Sequence, residues 1–455
     1  MQVTPERSVF VILSFEGPDV YSQAGGLGVR VKGLSRALAR LGYEAHLFFI
    51  GDPDLPSEEV HERGRLHYHR WCQWISSMHR GGVYDGEEDK LRDWDRSIPG
   101  AVIDGIIAST IESGRNVVVL AEEWQTAGTV NHISDSLYYR GLRDRVVMLW
   151  NANNTFSFQR INWGALGFAS TITTVSRYMK FRLWEWGQNP IVIPNGIPRS
   201  SVTDADAHAV EELRAAAGAD YLAFKIGRFD PDKRWLTAVS AMAHLKRSGS
   251  RVKLLVRGGR EPHGVEVMLH AKSNGLTVAD VKAPDEPAGL LRILREHPHA
   301  DLINLTSYVN DDLLALIYVA ADAVLANSGH EPFGLVGLEV MAAGGLAITG
   351  STGEDYADAF RNALVLETDD PVEVVTLMRL IKERPELAAS IRKRGRTTAR
   401  DYAWEKVIDQ LLLRIDLAAA QQAVRLEAAD VPPPPAKGTR RRPAPRRQMA
   451  PQPNQ

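Results

Sequence analysis

The chain has 455 residues, of which 44% are hydrophobic and 24% charged, a composition typical of globular proteins and a length sufficient for two domains. The formal net charge is −2, but the residues after Asp430 add six cations and no acid, so the rest of the chain carries −8. A mildly acidic body argues against a nucleic-acid binder, and the single cysteine, Cys72, excludes an internal disulfide framework. No apolar run reaches the roughly 18 residues of a membrane-spanning helix. We therefore expect a soluble, cytoplasmic protein.

Short apolar and β-branched runs alternate with helical patterns along the body of the chain. A helix with apolar residues three and four apart runs between Val31 and Leu41 and ends at Gly42. This alternation predicts parallel α/β sheets, in which ligands bind at the carboxyl ends of the strands. The predicted strands cover residues 9–14, 45–50, 116–121, 146–150 and 171–175 in the first half, and 222–227, 253–257, 302–305, 322–326 and 346–349 in the second.

A boundary is predicted after residues 194–198, which read Pro-Asn-Gly-Ile-Pro and precede a polar stretch. We assign residues 1–198 to a first domain and 199–400 to a second, and we expect the binding site in the cleft between them. Residues 429–455 form a basic, proline-rich tail that we expect to be disordered. A solvated tail is the favoured interpretation, and contact with a polyanion is the alternative.

The first motif is a glycine loop, Gly25-Gly26-Leu27-Gly28, between the first strand and the first helix. Adjacent glycines let backbone N–H groups approach an anion at a helix N-terminus, although many strand-to-helix turns use glycine for structural reasons alone. Its spacing differs from the Rossmann pattern G-x-G-x-x-G.

The second motif places two cations, Arg228 and Lys233, after the strand that ends at Gly227. Arginine offers a planar fork and lysine a point charge, a combination suited to a diphosphate. The alternative is a solvated loop in which Lys233 pairs with Asp230 or Asp232.

The third motif covers residues 328–344 and carries Glu331 and Glu339, eight residues apart. Residues 333–335 begin a helix whose free N–H groups can face a phosphate. Glu331 lies beside that site and can bind hydroxyls, whereas Glu339 sits on an apolar helix and needs hydroxyl partners of its own. A pair of surface glutamates is the alternative, and the apolar neighbours argue against it.

From about residue 9 to residue 415 the chain resembles the retaining nucleotide-sugar glycosyltransferases of the GT-B fold, in the branch that includes glycogen, starch and sucrose synthases (family-4 type, glycosyl transferases group 1). The resemblance implies an α/β protein with two facing Rossmann-like domains, an acceptor side first and a donor side second. It rests on the three motifs together with Thr174-Val175-Ser176, Pro194-Asn195-Gly196-Ile197 and Tyr402-Ala403-Trp404-Glu405. In that family the last of these segments opens a helix that crosses back to the first domain, here residues 401–428.

The resemblance also implies roles for individual residues. Arg228 and Lys233 would hold the donor diphosphate, and Glu331 would bind hydroxyls of the donor sugar. Such enzymes need no divalent metal, because cationic side chains and helix N-termini neutralise the leaving group. No cofactor is expected, since the nucleotide sugar is the substrate. The remaining donor residues would be Gly25 and Gly26 at the sugar-phosphate end, Gly334 and Leu335 through their N–H groups, Glu339 at the ribose, and Tyr308 and Val309 at the nucleobase.

Two departures from the family pattern concern the acceptor. Glucan synthases carry a lysine where this chain has Gln23, and His-Asp-Trp where it has Glu122-Glu123-Trp124. We predict that Glu122, Glu123, Trp124 and Asn151 line an acceptor site; a helix N-terminal carboxylate pair is the alternative. The predicted activity is a retaining hexosyltransferase. A glucan synthase, a nucleotide-sugar epimerase and a non-catalytic sugar-nucleotide sensor remain as alternatives.

Several histidines near Cys72 raise the question of a metal site. His67 and His69 share one strand face, but no second pair follows at ligand spacing. We therefore predict no metal site among His61, His67, His69, His79 and Cys72.

Overall fold

The computed structural model describes residues 3–202 and 205–426 and contains two α/β domains, each built on a largely parallel sheet. The predicted fold class is therefore confirmed. The predicted tail, residues 429–455, lies outside the described residues. In the part of the chain that the structure covers, no helix is long and apolar enough to cross a bilayer.

The first domain holds an eight-stranded sheet in the order β3-β4-β2-β1-β5-β6-β7-β8. All neighbouring strands are parallel except β3 and β4. The strands are β1 (Ser8–Leu13), β2 (Glu44–Ile50), β3 (Glu58–His61), β4 (Leu66–Trp71), β5 (Asn116–Glu122), β6 (Val146–Ala152), β7 (Thr171–Thr174) and β8 (Ile191–Val192). The helices are α1 (Gly26–Arg40), α2 (Gln73–Ser76), α3 (Glu87–Val102), α4 (Ala108–Glu112), α5 (Ala127–Tyr139), α6 (Trp163–Ala169) and α7 (Arg177–Trp184).

The second domain holds a seven-stranded parallel sheet in the order β11-β12-β10-β9-β13-β14-β15. Its strands are β9 (Tyr221–Ile226), β10 (Val252–Arg257), β11 (Val278–Val281), β12 (Leu302–Leu305), β13 (Ala323–Ala326), β14 (Ala347–Thr349) and β15 (Leu364–Val365). Its helices are α8 (Ala207–Ala217), α9 (Trp235–Arg247), α10 (His263–Ser273), α11 (Pro287–Glu296), α12 (Asp311–Ala320), α13 (Leu335–Ala343), α14 (Pro371–Glu383) and α15 (Pro385–Asp401).

The ten predicted strands are all present, each within two residues of its predicted bounds. The helix predicted between Val31 and Leu41 corresponds to α1, which ends one residue earlier, at Arg40. The central strands were predictable because both faces of the sheet are covered, which makes their sequences largely apolar, with exceptions such as Lys225 and Lys253. The additional strands β3, β4, β8, β11 and β15 lie at or near the sheet edges and are short or partly exposed.

A final helix, α16 (Trp404–Gln421), returns to the first domain and packs its apolar face against the α1 side of that sheet. Its first residue, Trp404, is buried, and its indole lies so close to Gly33 and Gly196 that a Cβ on either glycine would clash with it. The Ile197 N–H donates to the Tyr402 carbonyl at 2.9 Å, and the Trp404 N–H donates to the Ile197 carbonyl at 3.0 Å. The two chain segments that connect the domains therefore run side by side.

Candidate active site

Two loops of the second domain meet at the carboxyl ends of β9 and β13. The backbone carbonyl of Asp232, in the first loop, accepts a hydrogen bond from the Gly329 N–H at 2.7 Å. The Asp232 carboxylate lies 3.1 Å from Nδ1 of His330. The Asn327 side-chain amide donates to the Arg234 carbonyl at 3.3 Å. These hydrogen bonds hold the two loops together, so Lys233 of one loop faces Glu331 of the other.

The cation pair predicted from the sequence lies on this surface. Lys233 Nζ is 2.5 Å from Glu331 Oε2, and both side chains are about one-fifth exposed. The predicted alternative, a pairing with Asp230 or Asp232, is not found, because Asp230 accepts the Asp232 N–H at 2.9 Å and Asp232 faces His330. Arg228 is exposed, and within the described residues its guanidinium has no ion-pair partner. This arrangement leaves Arg228 available to an anionic ligand.

The N-terminus of α13 opens onto the same surface. Gly334 precedes the helix with φ 78°, a left-handed conformation that favours glycine, and a Cβ there would lie 2.7 Å from Glu354 Cγ. The Tyr356 hydroxyl donates to the Gly334 carbonyl and fixes the turn. The helix dipole and the free N–H groups at Leu335 and its neighbours make this helix end a favourable position for an anion.

Glu354 is a site residue that the sequence analysis missed. It is buried beside Glu331, and its Oε1 has no hydrogen-bond partner among the described residues. Burial, reinforced by the negative charge of Glu331, raises the pKa of Glu354 to about 8. The available signal for Glu354 was its position after β14, which is the neighbour of β13 in the sheet. The carboxyl ends of neighbouring parallel strands lie at the same edge of a sheet, so residues that follow β14 lie close to residues that follow β13.

The residues predicted to contact the nucleoside lie on neighbouring elements. Glu339, on α13, is partly buried, and burial followed by the charge of Asp311 raises its pKa to about 7. The Tyr318 hydroxyl donates to Glu339 at 3.4 Å, so Glu339 has one hydroxyl partner within the protein. Tyr308 is exposed, whereas Val309 is buried in the core and offers only its backbone to a ligand.

The glycine loop of the first domain faces the second domain. A Cβ on Gly26 would lie 4.0 Å from Leu335 Cδ1, which places the loop opposite the N-terminus of α13. The loop already binds a carboxylate of the protein: Glu16 Oε2 accepts the N–H groups of Ala24, Gly25 and Gly28 at 3.2, 3.0 and 2.9 Å. The Gly25 N–H is therefore satisfied internally and not free for a ligand.

Two of the predicted acceptor residues belong to a buried network. The Glu122 carboxylate accepts two hydrogen bonds from Arg30 Nε, both at 3.1 Å, and further bonds from the side chains of Asn151 and Asn153 at 2.9 and 2.8 Å. Glu122 is 1% exposed and Asn151 is 4% exposed. The structure thus corrects the expectation for this pair: their polar atoms hold β5, β6 and α1 together and do not face an open surface.

Glu123 has a different environment. It is a non-glycine residue with φ 68° and ψ 167°, a region that normally requires glycine, so its backbone is strained. The Asn153 N–H donates to Glu123 Oε1 at 2.6 Å, while Oε2 has no hydrogen-bond partner among the described residues. Burial raises the pKa of Glu123 to about 8. Trp124 is buried beneath the Arg160 guanidinium, which lies 4.3 Å from the ring centroid.

Comparison with known proteins agrees with this geometry. Residues 211–398 match the family described as Glycosyl transferases group 1. D-inositol 3-phosphate glycosyltransferase of Geodermatophilus obscurus is 27% identical over 256 residues, which cover 54% of this chain and 51% of that protein. The chain thus spans about half the length of this curated relative.

Solved structures resemble the whole two-domain body. Sucrose-phosphate synthase from Thermosynechococcus elongatus has a TM-score of 0.64 at 19% identity, covering 91% of this chain and 100% of that one. The catalytic domain of starch synthase IV from Arabidopsis thaliana, bound to ADP and acarbose, has a TM-score of 0.65 at 17% identity, covering 91% and 99%. The chain therefore has the GT-B fold, and its second domain, over residues 211–398, matches the family described as Glycosyl transferases group 1.

Proposed function

We propose that this chain transfers a hexosyl group from a nucleotide-sugar donor, a UDP-, ADP- or GDP-hexose, to a hydroxyl acceptor with retention of configuration and without a divalent metal. The observation that carries the proposal is the Lys233–Glu331 ion pair beside the unpaired Arg228, at the N-terminus of α13 and opposite the glycine loop. A diphosphate with a sugar attached matches this combination of cations, helix N-terminus and carboxylate.

The donor diphosphate would lie against Arg228, Lys233 and the N–H groups of α13. These groups are positioned before the reaction and are aimed at the oxygen atoms on which charge develops as the nucleotide leaves. They supply the positive charge that a metal ion supplies in other transferases. Glu331 would accept hydrogen bonds from the hydroxyls of the donor sugar, Glu339 from the ribose, and the loop at Tyr308 and Val309 would contact the nucleobase.

The transfer step needs no protein nucleophile. The acceptor hydroxyl would attack the anomeric carbon on the face from which the nucleotide leaves, and its proton would pass to an oxygen of the departing diphosphate. Glu354 contributes by staying neutral: with a pKa of about 8 it is mostly protonated at pH 7 and adds little negative charge beside the leaving group. Glu331, paired with Lys233, is the carboxylate that faces the sugar.

The acceptor would enter from the first domain, where Glu123 is 2% exposed but keeps one carboxylate oxygen, Oε2, without a hydrogen-bond partner among the described residues. The named activities of D-inositol 3-phosphate glycosyltransferase and sucrose-phosphate synthase favour a small polyol or sugar phosphate as acceptor. The similarity to starch synthase IV supports the second candidate, a glucan synthase. Gln23 and the Glu122-Glu123-Trp124 segment depart from the glucan synthase pattern and favour the small acceptor.

The test of donor binding is a thermal-shift panel with UDP, ADP, GDP and the matching glucose and mannose donors. A ligand present at a hundred times its Kd stabilises the folded protein by about 2.7 kcal/mol, which raises Tm measurably. We expect one nucleotide series to raise Tm, Arg228→Ala to cancel the rise, and Arg251→Ala to leave it unchanged. Arg251 is the matched control because it is exposed and pairs with Asp220 at the start of the sheet, far from the cleft. Absence of a shift with every nucleotide would contradict the proposal.

The test of transfer uses the donor identified in this way. Lys233→Ala and Glu331→Ala should each lower kcat/KM at least 100-fold without loss of folded structure, whereas Lys246→Ala, which removes a partly exposed pair with Asp301, should keep full activity. Release of free sugar and nucleotide without an acceptor would indicate the epimerase alternative. Binding without turnover on any acceptor would indicate the sensor, and extension of a glucan primer the glucan synthase.

A further inference from the structure

Three imidazoles gather on one face of the first sheet, near the amino ends of β2 and β4 and away from the cleft. We define the histidine cluster as His46, His67 and His69. His46 and His67 are register partners in the parallel pair, and their rings stack with centroids 4.5 Å apart and planes 12° from parallel. His46 cannot be linked to His67 and His69 from the sequence, because it lies on a different strand and only the sheet register brings it next to them.

A carboxylate completes this group. Glu44 Oε1 lies 3.2 Å from His46 Nε2, and one ligand atom from each of Glu44, His46 and His67 falls within 4.8 Å of the others. Two imidazoles and one carboxylate are the protein ligands of many Zn²⁺ sites that keep a fourth position for water. Glu44 is one-third exposed, so water can reach the group.

We propose that Glu44, His46 and His67 bind a late first-row divalent cation, with Zn²⁺ as the ion held and water as its fourth ligand. Ligands of this kind are usually held by a second set of hydrogen bonds that set the ring tautomer and the carboxylate orientation. The structure contains such bonds for all three residues.

The supporting contacts are specific. His46 Nδ1 lies 3.0 Å from His69 Nε2, so an Nδ1–H on His46 can donate to His69 and leave the Nε2 lone pair on the Glu44 side. Arg115 donates to the other oxygen of Glu44 at 2.5 Å, and a ring nitrogen of His67 hydrogen-bonds to the backbone of Gly64. His69 itself is fixed by stacking on Phe48, with centroids 4.2 Å apart. Each proposed ligand thus has one atom oriented by the protein and one atom that faces the other two ligands.

The site joins neighbouring strands and lies outside the donor site. A bound cation would hold β2 to β4, and its removal would loosen this edge of the first sheet without touching Lys233 or Glu331. Its effect on stability is therefore separable from the proposed transfer reaction, and failure of one proposal does not imply failure of the other.

The experiment uses the full chain, first freed of metal with a chelator and then titrated with ZnCl₂ in equilibrium dialysis with metal analysis. We expect one Zn²⁺ per chain, a rise in Tm on binding, and a tetrahedral visible spectrum when Co²⁺ replaces Zn²⁺. Glu44→Gln and His67→Gln should abolish stoichiometric binding, and His69→Phe should weaken it by 10- to 100-fold, as expected for a residue that orients a ligand.

The matched control is His61→Gln. His61 pairs with Glu59 at 3.1 Å on the adjacent strand β3, which reproduces one histidine–carboxylate pair without the stacked second imidazole. Binding by His61→Gln should equal that of the unmodified chain. Because Glu44 is partly exposed, we expect Glu44→Gln to fold, and circular dichroism checks that it does. This variant therefore tests metal binding in a folded protein. Absence of stoichiometric Zn²⁺ in the unmodified chain, or equal binding by folded Glu44→Gln, would overturn the proposal.

Discussion

The conformation of the glycine loop depends on one buried carboxylate, and Glu16→Gln tests this dependence. Glu16 accepts three backbone N–H groups on Oε2 and the Tyr84 hydroxyl on Oε1 at 2.7 Å, and it is only 5% exposed. Hydrogen bonds to a charged group contribute about 1.5–3 kcal/mol each, compared with about 0.5–1.5 kcal/mol for neutral ones. Replacing the carboxylate by an amide of the same shape should therefore cost about 1 kcal/mol for each of the three N–H groups.

We expect Glu16→Gln to lower the free energy of unfolding by about 3 kcal/mol, from the charge-assisted bonds above and from the lost interaction with the N-terminus of α1. The assay is urea denaturation followed by circular dichroism and tryptophan fluorescence. Glu58→Gln is the control, because Glu58 is 78% exposed and should change stability by less than 0.5 kcal/mol, as expected for a surface substitution. A loss below about 1 kcal/mol for Glu16→Gln would refute the assignment of Glu16 as the anion that organises this loop.

Three further predictions follow from buried groups. The pKa of Glu354 is raised to about 8, so the folded state favours the protonated carboxyl. Stability should therefore decline as the pH rises from about 5 to 9, and Glu354→Gln should lessen that decline when Tm is measured against pH. Equal slopes of Tm against pH for the variant and the unmodified chain would contradict this prediction. Trp404→Ala should cost about 3–5 kcal/mol in chemical denaturation because the indole fills the space against Gly33 and Gly196; a cost under 1 kcal/mol would show that α16 is held elsewhere. Gly334→Ala should lower the free energy of unfolding by about 1–3 kcal/mol, because Gly334 has a φ of 78°. The same variant should lose the nucleotide-induced rise in Tm. An unchanged rise would show that donor binding does not depend on this turn.

The central strands and the order of the motifs could be predicted because they depend on local pattern. Strand β1 is fully buried, and all its residues except Ser8 are apolar. The motif at residues 328–344 follows the apolar strand β13 and includes helix α13, whose residues are apolar or glycine except for Glu339. The pairing of Lys233 with Glu331 follows once β9 and β13 are neighbours in the sheet. For these residues the topology of a parallel sheet supplies the missing three-dimensional information.

The rest depended on contacts between distant segments. Nothing near Glu16 in the sequence indicates that it occupies the N-terminus of α1, and nothing near Glu122 indicates that Arg30 neutralises it. The adjacent Glu122 and Glu123 look equivalent in the sequence, yet one is fully hydrogen-bonded and the other keeps an unpartnered oxygen on a strained backbone. Burial of a carboxyl such as Glu354 likewise depends on which loops cover it, and hydrophobic periodicity carries no signal for loops.

The side-by-side connections at Ile197 and Trp404 restrict how the two domains can move. Two connections that lie next to each other and are joined by two backbone hydrogen bonds leave a single rotation axis, close to Ile197, about which the cleft can open and shut. The domains also touch through Gly26 and Leu335, and the Arg177 N–H donates to the Asp355 carboxylate at 2.8 Å beside Tyr402, close to this axis. Rotation about this axis would therefore open or shut the cleft while both sheets and the buried Trp404 keep their packing.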